Sequence, residues 1–545
     1  MTSKDASDRS TRRGRRTFAR AAFLVGWILV AAGCQVGPDF KKPEAPVAPK
    51  WSGNDDPRIA TQTAADSLWW KEFNDATLDR LVELAYHQNL SLQVSGLRIV
   101  EARAQLGVAT GKQWPQIQVL AAGASADGVT KSVSTYAAVD RNFFSYQAGF
   151  DAAWELDFWG KYSRGVEAEA ANVLATVADY YYSIVSLNAE VARTYTVLRT
   201  YEVLIDQAQR NVTLQEDGLG IAQSRFKNGA TSELDVAQAT TLLESTRATV
   251  PQLQIGAQQA RNALSTLLGQ TTGSVDTLLD GPKEIPTAPA KVSISVPAEM
   301  LRRRPDIRRA ELVAAAQCAR IGVAKAELYP SFSLFGSIGF QASSSGIGSN
   351  NLFSGDNLVY SVGPRISWPF FNYGRLQNNV RVQDARLQEL LVGYRETVLK
   401  AAQEVEDALT GYLRSQEEIV FQRNSVQSAQ RSQEIAMTQY REGAVDYQRV
   451  LDAQRSLLQQ QNDLAQAGSS VATSVIALYK ALGGGWEFRQ GQPFVSEPSK
   501  KEMEERTGWS DLLSEPSSPE ASAGTSRTPS QQNPPAPAPA SAPVK

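Results

Sequence analysis

The sequence predicts an α+β protein of membrane-barrel type, made of two copies of one unit in which pairs of short strands alternate with very long helical hairpins. Three observations carry this. Blocks of residues recur at a constant offset of 214 or 215. Apolar residues follow a heptad seam over stretches much longer than a compact domain needs. Segments of roughly ten residues alternate apolar and polar side chains.

The repeat is visible in several blocks. LGVATGKQWPQIQV (106 to 119) matches IGVAKAELYPSFSL (321 to 334), and FDAAWELDFWGK (150 to 161) matches PRISWPFFNYGR (364 to 375), aligning Trp154 with Trp368 and Gly160 with Gly374. RFKNGATSELDVAQA (225 to 239) falls over residues 439 to 453, placing Phe226, Gly229, Ala230, Val236 and Ala239 on Tyr440, Gly443, Ala444, Val450 and Ala453. NALSTLLGQ (262 to 270) corresponds to IALYKALGG (476 to 484). A period this long is that of a duplicated domain, not of a solenoid.

Within each copy the pattern reads helix, strand, strand, very long helix, break, long helix. In the first copy Ile184, Leu187, Val191, Thr194, Leu198, Tyr201, Ile205, Ala208 and Val212 advance by alternating three and four. After the break Val236, Leu243, Val250, Ala257 and Leu264 recur every seven residues, as do Val450, Leu457, Leu464, Val471 and Leu478. A helix from Gly160 to Asn228 would be roughly 100 Å long. Pro251, which lacks a backbone donor, should kink the returning helix. Gly229 and Gly443 can adopt the left-handed conformation that ends a helix, and Ser232 and Asp446 suit the cap of the next. Each break therefore reads as a helix-turn-helix tip.

The strands alternate cleanly. Phe144, Tyr146, Ala148, Phe150, Ala152 and Trp154 oppose Ser145, Gln147, Gly149, Asp151, Ala153 and Glu155. The counterpart sets Leu358, Tyr360, Val362, Ile366, Trp368 and Phe370 against Ser361, Gly363, Arg365 and Ser367; Phe332, Leu334, Ile338 and Phe340 form a third strand, and Ile117 and Val119 open a weaker fourth. A soluble sandwich would alternate too. Strand length, aromatic residues toward strand ends and Gly/Ser/Asn-rich loops such as QASSSGIGSNN favour a membrane barrel. Four strands leave two unpaired edges and cannot close, so other copies of the chain must complete the sheet.

The first 33 residues read as a signal peptide: seven basic side chains precede an apolar run from Ala21 to Gly33 that is too short to span a bilayer. LVAAGC resembles a bacterial lipobox, with Ala31 where Leu is usual, which would leave Cys34 as an acylated N-terminus; ordinary cleavage nearby with Cys34 as a free thiol is the alternative. GRRTF partly resembles a twin-arginine signal, so the export route stays open. Gln35 after Cys34 favours, by resemblance to bacterial lipoproteins, sorting to the outer membrane. Removing the peptide takes the net charge from -2 to -7, which argues against a nucleic-acid surface. With only Cys34 and Cys318 present a disulfide framework is excluded if Cys34 carries lipid, and Cys318 reads as a small buried apolar residue. His87 is the single histidine, leaving no material for a histidine metal cluster or a Ser-His-Asp triad. GVATGKQ lacks the spacing and the Ser/Thr of a phosphate loop. No catalytic or metal residue is assigned, and an enzyme is not expected. RRRPDIRR reads as a solvated helix start with Pro305 in its first turn. From about Pro498 the Pro/Ser/Ala-rich chain should be disordered.

With the lipobox, VGPDFKKP (36 to 43), the duplicated hairpins and LRRRPDIRRAE (301 to 311) in view, the chain resembles the outer membrane factor family over residues 34 to 490, in the lipoprotein branch that works with resistance-nodulation-division pumps. The resemblance implies a homotrimer whose three sets of four strands make a 12-stranded barrel in the outer membrane of a Gram-negative bacterium, continued by a periplasmic α-helical coiled-coil barrel. It implies a passive exit channel of a tripartite efflux pump, fed by an inner-membrane resistance-nodulation-division transporter and a periplasmic adaptor, or membrane fusion protein. It implies no cofactor beyond N-acyl and S-diacylglycerol lipid on Cys34, with outer-membrane lipid as the surroundings. The alternatives are an outlet for type I protein secretion or, in another class, a lipid-anchored coiled-coil scaffold. Domains are expected at 1-33 (signal peptide), 34-65 (lipidated equatorial segment), 66-283 and 284-490 (the two repeats) and 491-545 (equatorial remnant and tail). By the same resemblance Gly229, Ala230, Gly443 and Ala444 contact the adaptor, while Asp235, Asp452, Arg455, Arg449 and Tyr440 form the periplasmic constriction. Threefold symmetry would concentrate their charge around a narrow axis. Some members carry acid at the positions of both Arg449 and Asp452, so here the constriction is either an acidic ring or an Asp-Arg lock within or between protomers.

Overall fold

A computed structural model describes residues 35–53, 55–61, 67–128, 142–279, 281, 283–294, 297–298, 303–344, 351–509 and 512–513. The signal segment, Cys34 and residues 514–545 lie outside the described residues. Two units are distinguished, residues 1–490 and 491–545.

In the first unit, two helical hairpins are the largest elements. A short strand β1 (Ile59–Thr61) pairs in parallel with β4 (Val292–Ile294). Helices α1 (Ala76–Gln88) and α2 (Leu90–Gly111) precede strands β2 (Ile117–Gly128) and β3 (Asn142–Leu156). Then come the 67-residue α3 (Lys161–Lys227) and its 35-residue return α4 (Glu233–Leu267). The second copy repeats the order with α5 (Pro305–Ala326), β5 (Ser331–Ser343), β6 (Leu358–Ser367), the 68-residue α6 (Arg375–Glu442) and the 35-residue α7 (Tyr447–Ala481). At 1.5 Å per residue each long helix runs roughly 100 Å. Both start after a left-handed glycine, Gly160 (φ 74°) and Gly374 (φ 78°). Helix α4 runs through Pro251 without ending.

The seam predicted on α3 is real at Ile184, Val191 and Leu198, all fully buried, and it packs along α4, α5 and α7. Burying such side chains contributes roughly 1.5–3 kcal/mol each. Toward the tip the seam shifts: Asn211, Gln215, Gly218 and Ala222 are buried, while Val212 is half-exposed. An α-helix drifts about 20° per heptad against a strict seven-residue repeat, so a straight contact stripe must step off the predicted positions. The new stripe is polar. Asn211 Nδ2 donates to Gln461 Oε1 across the α3–α7 contact at 2.6 Å.

The four-stranded sheet has the order β2-β3-β5-β6, antiparallel throughout, leaving β2 and β6 as its edges. The register lines Leu120, Phe150, Ile338 and Tyr360 into one row across all four strands, and each is more than one third exposed. On the other face the neighbouring row reads Val119, Asp151, Ser337 and Ser361. An apolar face turned outward with a polar face behind it is the pattern of a lipid-facing barrel wall. The weaker fourth strand is full length, at 12 residues; its alanines and glycines hid the alternation. The duplication extends to bonding: Trp154 Nε1 donates to the Gln113 carbonyl at 3.1 Å, and Trp368 Nε1 to the Leu328 carbonyl at 3.1 Å.

Beside the sheet, the segment after Cys34 is pinned. Val36 donates to the Trp159 carbonyl at 3.1 Å, and Arg164, only 4% exposed, pairs with Asp39 at 2.7 Å. Gly37 lies so close to Gly322 that an added Cβ would sit 2.5 Å from its Cα. Cys318 is buried, as expected. RRRPDIRR departs from its reading. Pro305 does open α5, but Arg304 is 4% exposed and held by Asp306 (2.7 Å), Glu404 (2.8 Å) and the Ala481 carbonyl (2.7 Å). A desolvated guanidinium of this kind needs its carboxylates and carbonyl together.

The second unit contains α8 (Glu497–Arg506), where disorder was expected from about Pro498. Pro498 occupies the first turn, where its missing donor costs nothing, and Lys500 pairs with Glu497 at 2.8 Å.

Candidate functional site

The two hairpin turns are built alike. In the first, the Ala230 N–H donates to the Arg225 carbonyl at 2.8 Å and the Gly229 N–H to the Phe226 carbonyl at 2.9 Å; in the second, Ala444 donates to Gln439 at 2.8 Å and Gly443 to Tyr440 at 3.0 Å. This paired six-to-one and five-to-two closure is a Schellman turn. It requires the left-handed Gly229 (φ 72°) and Gly443 (φ 83°). Ser232 and Asp446 stand at the cap positions of α4 and α7, yet neither side chain makes a capping bond. Gly229, Ala230, Gly443 and Ala444 are all exposed. Phe226 (45% exposed) and Leu234 (62%) flank the first turn as an exposed apolar pair.

The residues assigned to the constriction separate into two sets. Tyr440 is 1% exposed and belongs to a core of Ala222, Ala239, Leu242, Met437, Tyr447, Val450 and Leu451 that joins both hairpins. Its hydroxyl donates to Asp235 Oδ2 at 3.1 Å, and Asp235 also accepts from the Thr231 hydroxyl. Burial, the largest influence, together with the nearby Asp235 charge, raises the Tyr440 pKa above the ordinary phenol value even though Thr231 and Arg225 act the other way, so the hydroxyl stays a donor. Asp235 and Tyr440 thus connect the two tips within one chain.

Arg449, Asp452 and Arg455 form the second set, exposed together on α7. Asp452 Oδ1 accepts from Gln448 Nε2 at 2.9 Å, and Gln448 Oε1 from Gln238 of the first hairpin at 3.4 Å. Among the described residues no ion pair within the chain involves Arg449, Asp452 or Arg455. At a spacing of three these side chains share a face, but each finds solvent or an amide first.

One residue absent from the sequence reading stands at the centre of the tip. Arg225, on α3, donates to the carbonyls of Tyr440, Arg441 and Ala230, and its guanidinium carbon lies 4.8 Å from the centre of the Tyr440 ring. The signal was available in the repeat: Arg225 aligns with Gln439, and Phe226 with Tyr440, so the copies differ where they touch.

Against known proteins, a family profile described as outer membrane efflux protein matches residues 81–270 and 296–484. The chain is 31% identical over 468 residues to the cation efflux system protein CusC of Escherichia coli O6:H1, covering 84% of this chain and 97% of that one. It is 30% identical to the probable outer membrane lipoprotein SilC of Salmonella typhimurium over 85% of this chain and 98% of the relative. Among solved structures, the outer-membrane channel OprN superposes with a TM-score of 0.77 at 34% identity, over 83% of this chain and 100% of that chain.

Proposed function

This chain belongs to the outer membrane efflux protein family, and we propose from that membership how its parts serve an outer-membrane exit channel. The observation that carries the reading is the pairing of a four-stranded sheet open at β2 and β6 with helical hairpins of roughly 100 Å. In the proposal three copies close a 12-stranded barrel, since an open edge in lipid leaves backbone groups unsatisfied. The α3–α4 and α6–α7 hairpins of the three copies then enclose a periplasmic tunnel. Cys34 carries the lipid, and the Val36–Asp39 segment that follows it in the sequence is pinned beside the sheet. Conduction is passive and needs no catalytic group; an inner-membrane resistance-nodulation-division transporter supplies the drive.

The tips are the gate and the docking end. Gly229, Ala230, Gly443 and Ala444 meet the adaptor, where the lack of bulk lets backbone approach backbone. Arg449, Asp452 and Arg455, exposed on one face of α7 and without an ion pair among the described residues, face the threefold axis and meet their copies in a lock between protomers. Tyr440 and Asp235 hold the second tip against the first. The test is Asp452→Ala combined with Arg455→Ala in planar bilayers: conductance of the resting channel rises if these residues close it, and an unchanged value removes them from the gate. Co-purification of native trimers identifies the adaptor and transporter.

A further inference from the structure

We propose that Arg225 is a positioning residue of the closed gate, a role that rests on the reading of the tips as the channel's closure. Two of the three carbonyls it holds, those of Tyr440 and Arg441, end α6. The last carbonyls of a helix have no partner inside it and gather the negative end of its dipole, so a guanidinium there is favourably placed. The third, Ala230, belongs to Arg225's own turn. One cation therefore bridges the end of the second hairpin's long helix to the turn of the first.

The same guanidinium lies over the Tyr440 ring at 4.8 Å and fixes its direction, with the hydroxyl 3.1 Å from Asp235. Carbonyl, ring and carboxylate thus form a closed path from α3 to the α6 terminus and back to α4 through Asp235. The guanidinium lies directly over this turn: a Cβ on Gly443 would be in van der Waals contact with both Arg225 Nη atoms, at 3.4 Å. Gly443 supplies the positive φ that lets its turn close beneath that side chain. In the sister turn the equivalent residue is Gln439, and among the described residues no cation of α6 is bonded to the carbonyls that end α3. Any movement that separates the two tips must strip Arg225 from the α6 terminus.

The repeat supplies a safe substitution. Arg225→Gln installs the residue that already precedes the same turn in the other copy, so the helix end keeps its local chemistry. Compared with wild-type trimers in planar bilayers, Arg225→Gln should raise the fraction of time spent open by about tenfold, the scale of one charge-assisted hydrogen bond. Cells carrying it should admit a bulky hydrophilic antibiotic, with the thermal midpoint of the purified trimer little changed. Arg225→Lys keeps a cation at the carbonyls but not the stacked fork, and should fall between the two. Combined with Tyr440→Phe, the effects should be strongly non-additive, because Arg225 acts by aiming the Tyr440 hydroxyl at Asp235. Resting conductance unchanged in Arg225→Gln while Tyr440→Phe raises it would overturn the role of Arg225 and leave the gate reading standing. No change in either variant would overturn both. Additive effects would show that Arg225 does not position Tyr440. Should Arg225→Gln fail to assemble, Arg225→Lys decides alone, and wild-type conductance in it overturns the proposal.

Discussion

In the first hairpin the residues around the turn are Arg225, Phe226, Thr231, Glu233 and Asp235; in the second the same positions hold Gln439, Tyr440, Val445, Tyr447 and Arg449. The backbone of the two turns is the same, down to the paired hydrogen bonds and the left-handed glycine. The side chains have divided the labour. The first turn supplies charge and hydroxyls that point inward to its neighbour, with Phe226 and Leu234 left exposed; the second supplies buried aromatic rings, with its charges on the outside. A duplicated unit can therefore become a complementary pair without any change in backbone, because one copy's surface is free to serve as the other's partner.

The largest expected effect that sharpens this contrast is at Tyr447, 1% exposed, against its counterpart Glu233, which is exposed. Tyr447→Ala should cost about 3–5 kcal/mol, as for other buried aromatics cut to alanine, whereas Glu233→Ala should stay within about 0.5 kcal/mol. Denaturant unfolding of the detergent-solubilised trimer measures both; equal costs would mean the tips are packed alike. Next come the turn glycines. Gly229→Ala and Gly443→Ala should each lose about 1–2 kcal/mol from the left-handed backbone. Only Gly443→Ala also places a methyl against the Arg225 guanidinium, since the space at Gly229 is open. Resting conductance should therefore rise for Gly443→Ala alone, and a rise for both would break the distinction. Smallest in stability is Arg449→Ala, expected within about 0.5 kcal/mol because the side chain is exposed. Its reading is in ion selectivity, which should shift toward cations in bilayer reversal potentials if Arg449 faces the axis.

Much of this fold was legible because it rests on local rules repeated along the chain. The offset of 214, the heptads and the two glycines each record a backbone requirement that the residue itself betrays, and the ends of α3 and α6 fell where Gly160, Asn228, Gly374 and Gly443 put them. The tip was legible in outline only. Aligning the copies matches Arg225 with Gln439 as equivalents, and that view conceals the fact that Arg225 touches Tyr440, the neighbour of its own equivalent. Tyr440 and Asp235 were grouped with Arg449, Asp452 and Arg455 by the family resemblance; which face each takes depends on helices over 200 residues away in the chain. Arg304 misled for the same reason. A run of arginines in the sequence looks solvated, and its burial is decided by Glu404 and the end of α7.

The open edges of the sheet carry a consequence of mass action. Strands β2 and β6 of a single chain present backbone donors and acceptors that lipid cannot satisfy. On the three-copy reading, insertion and association become one event, and the yield of closed barrel depends on the cube of the free chain concentration, not on the stability of any one subunit. Acylation would then do more than tether. By confining chains to a surface it raises their local concentration, and the segment from Val36 to Asp39 presents each one to that surface at the foot of the sheet it must complete.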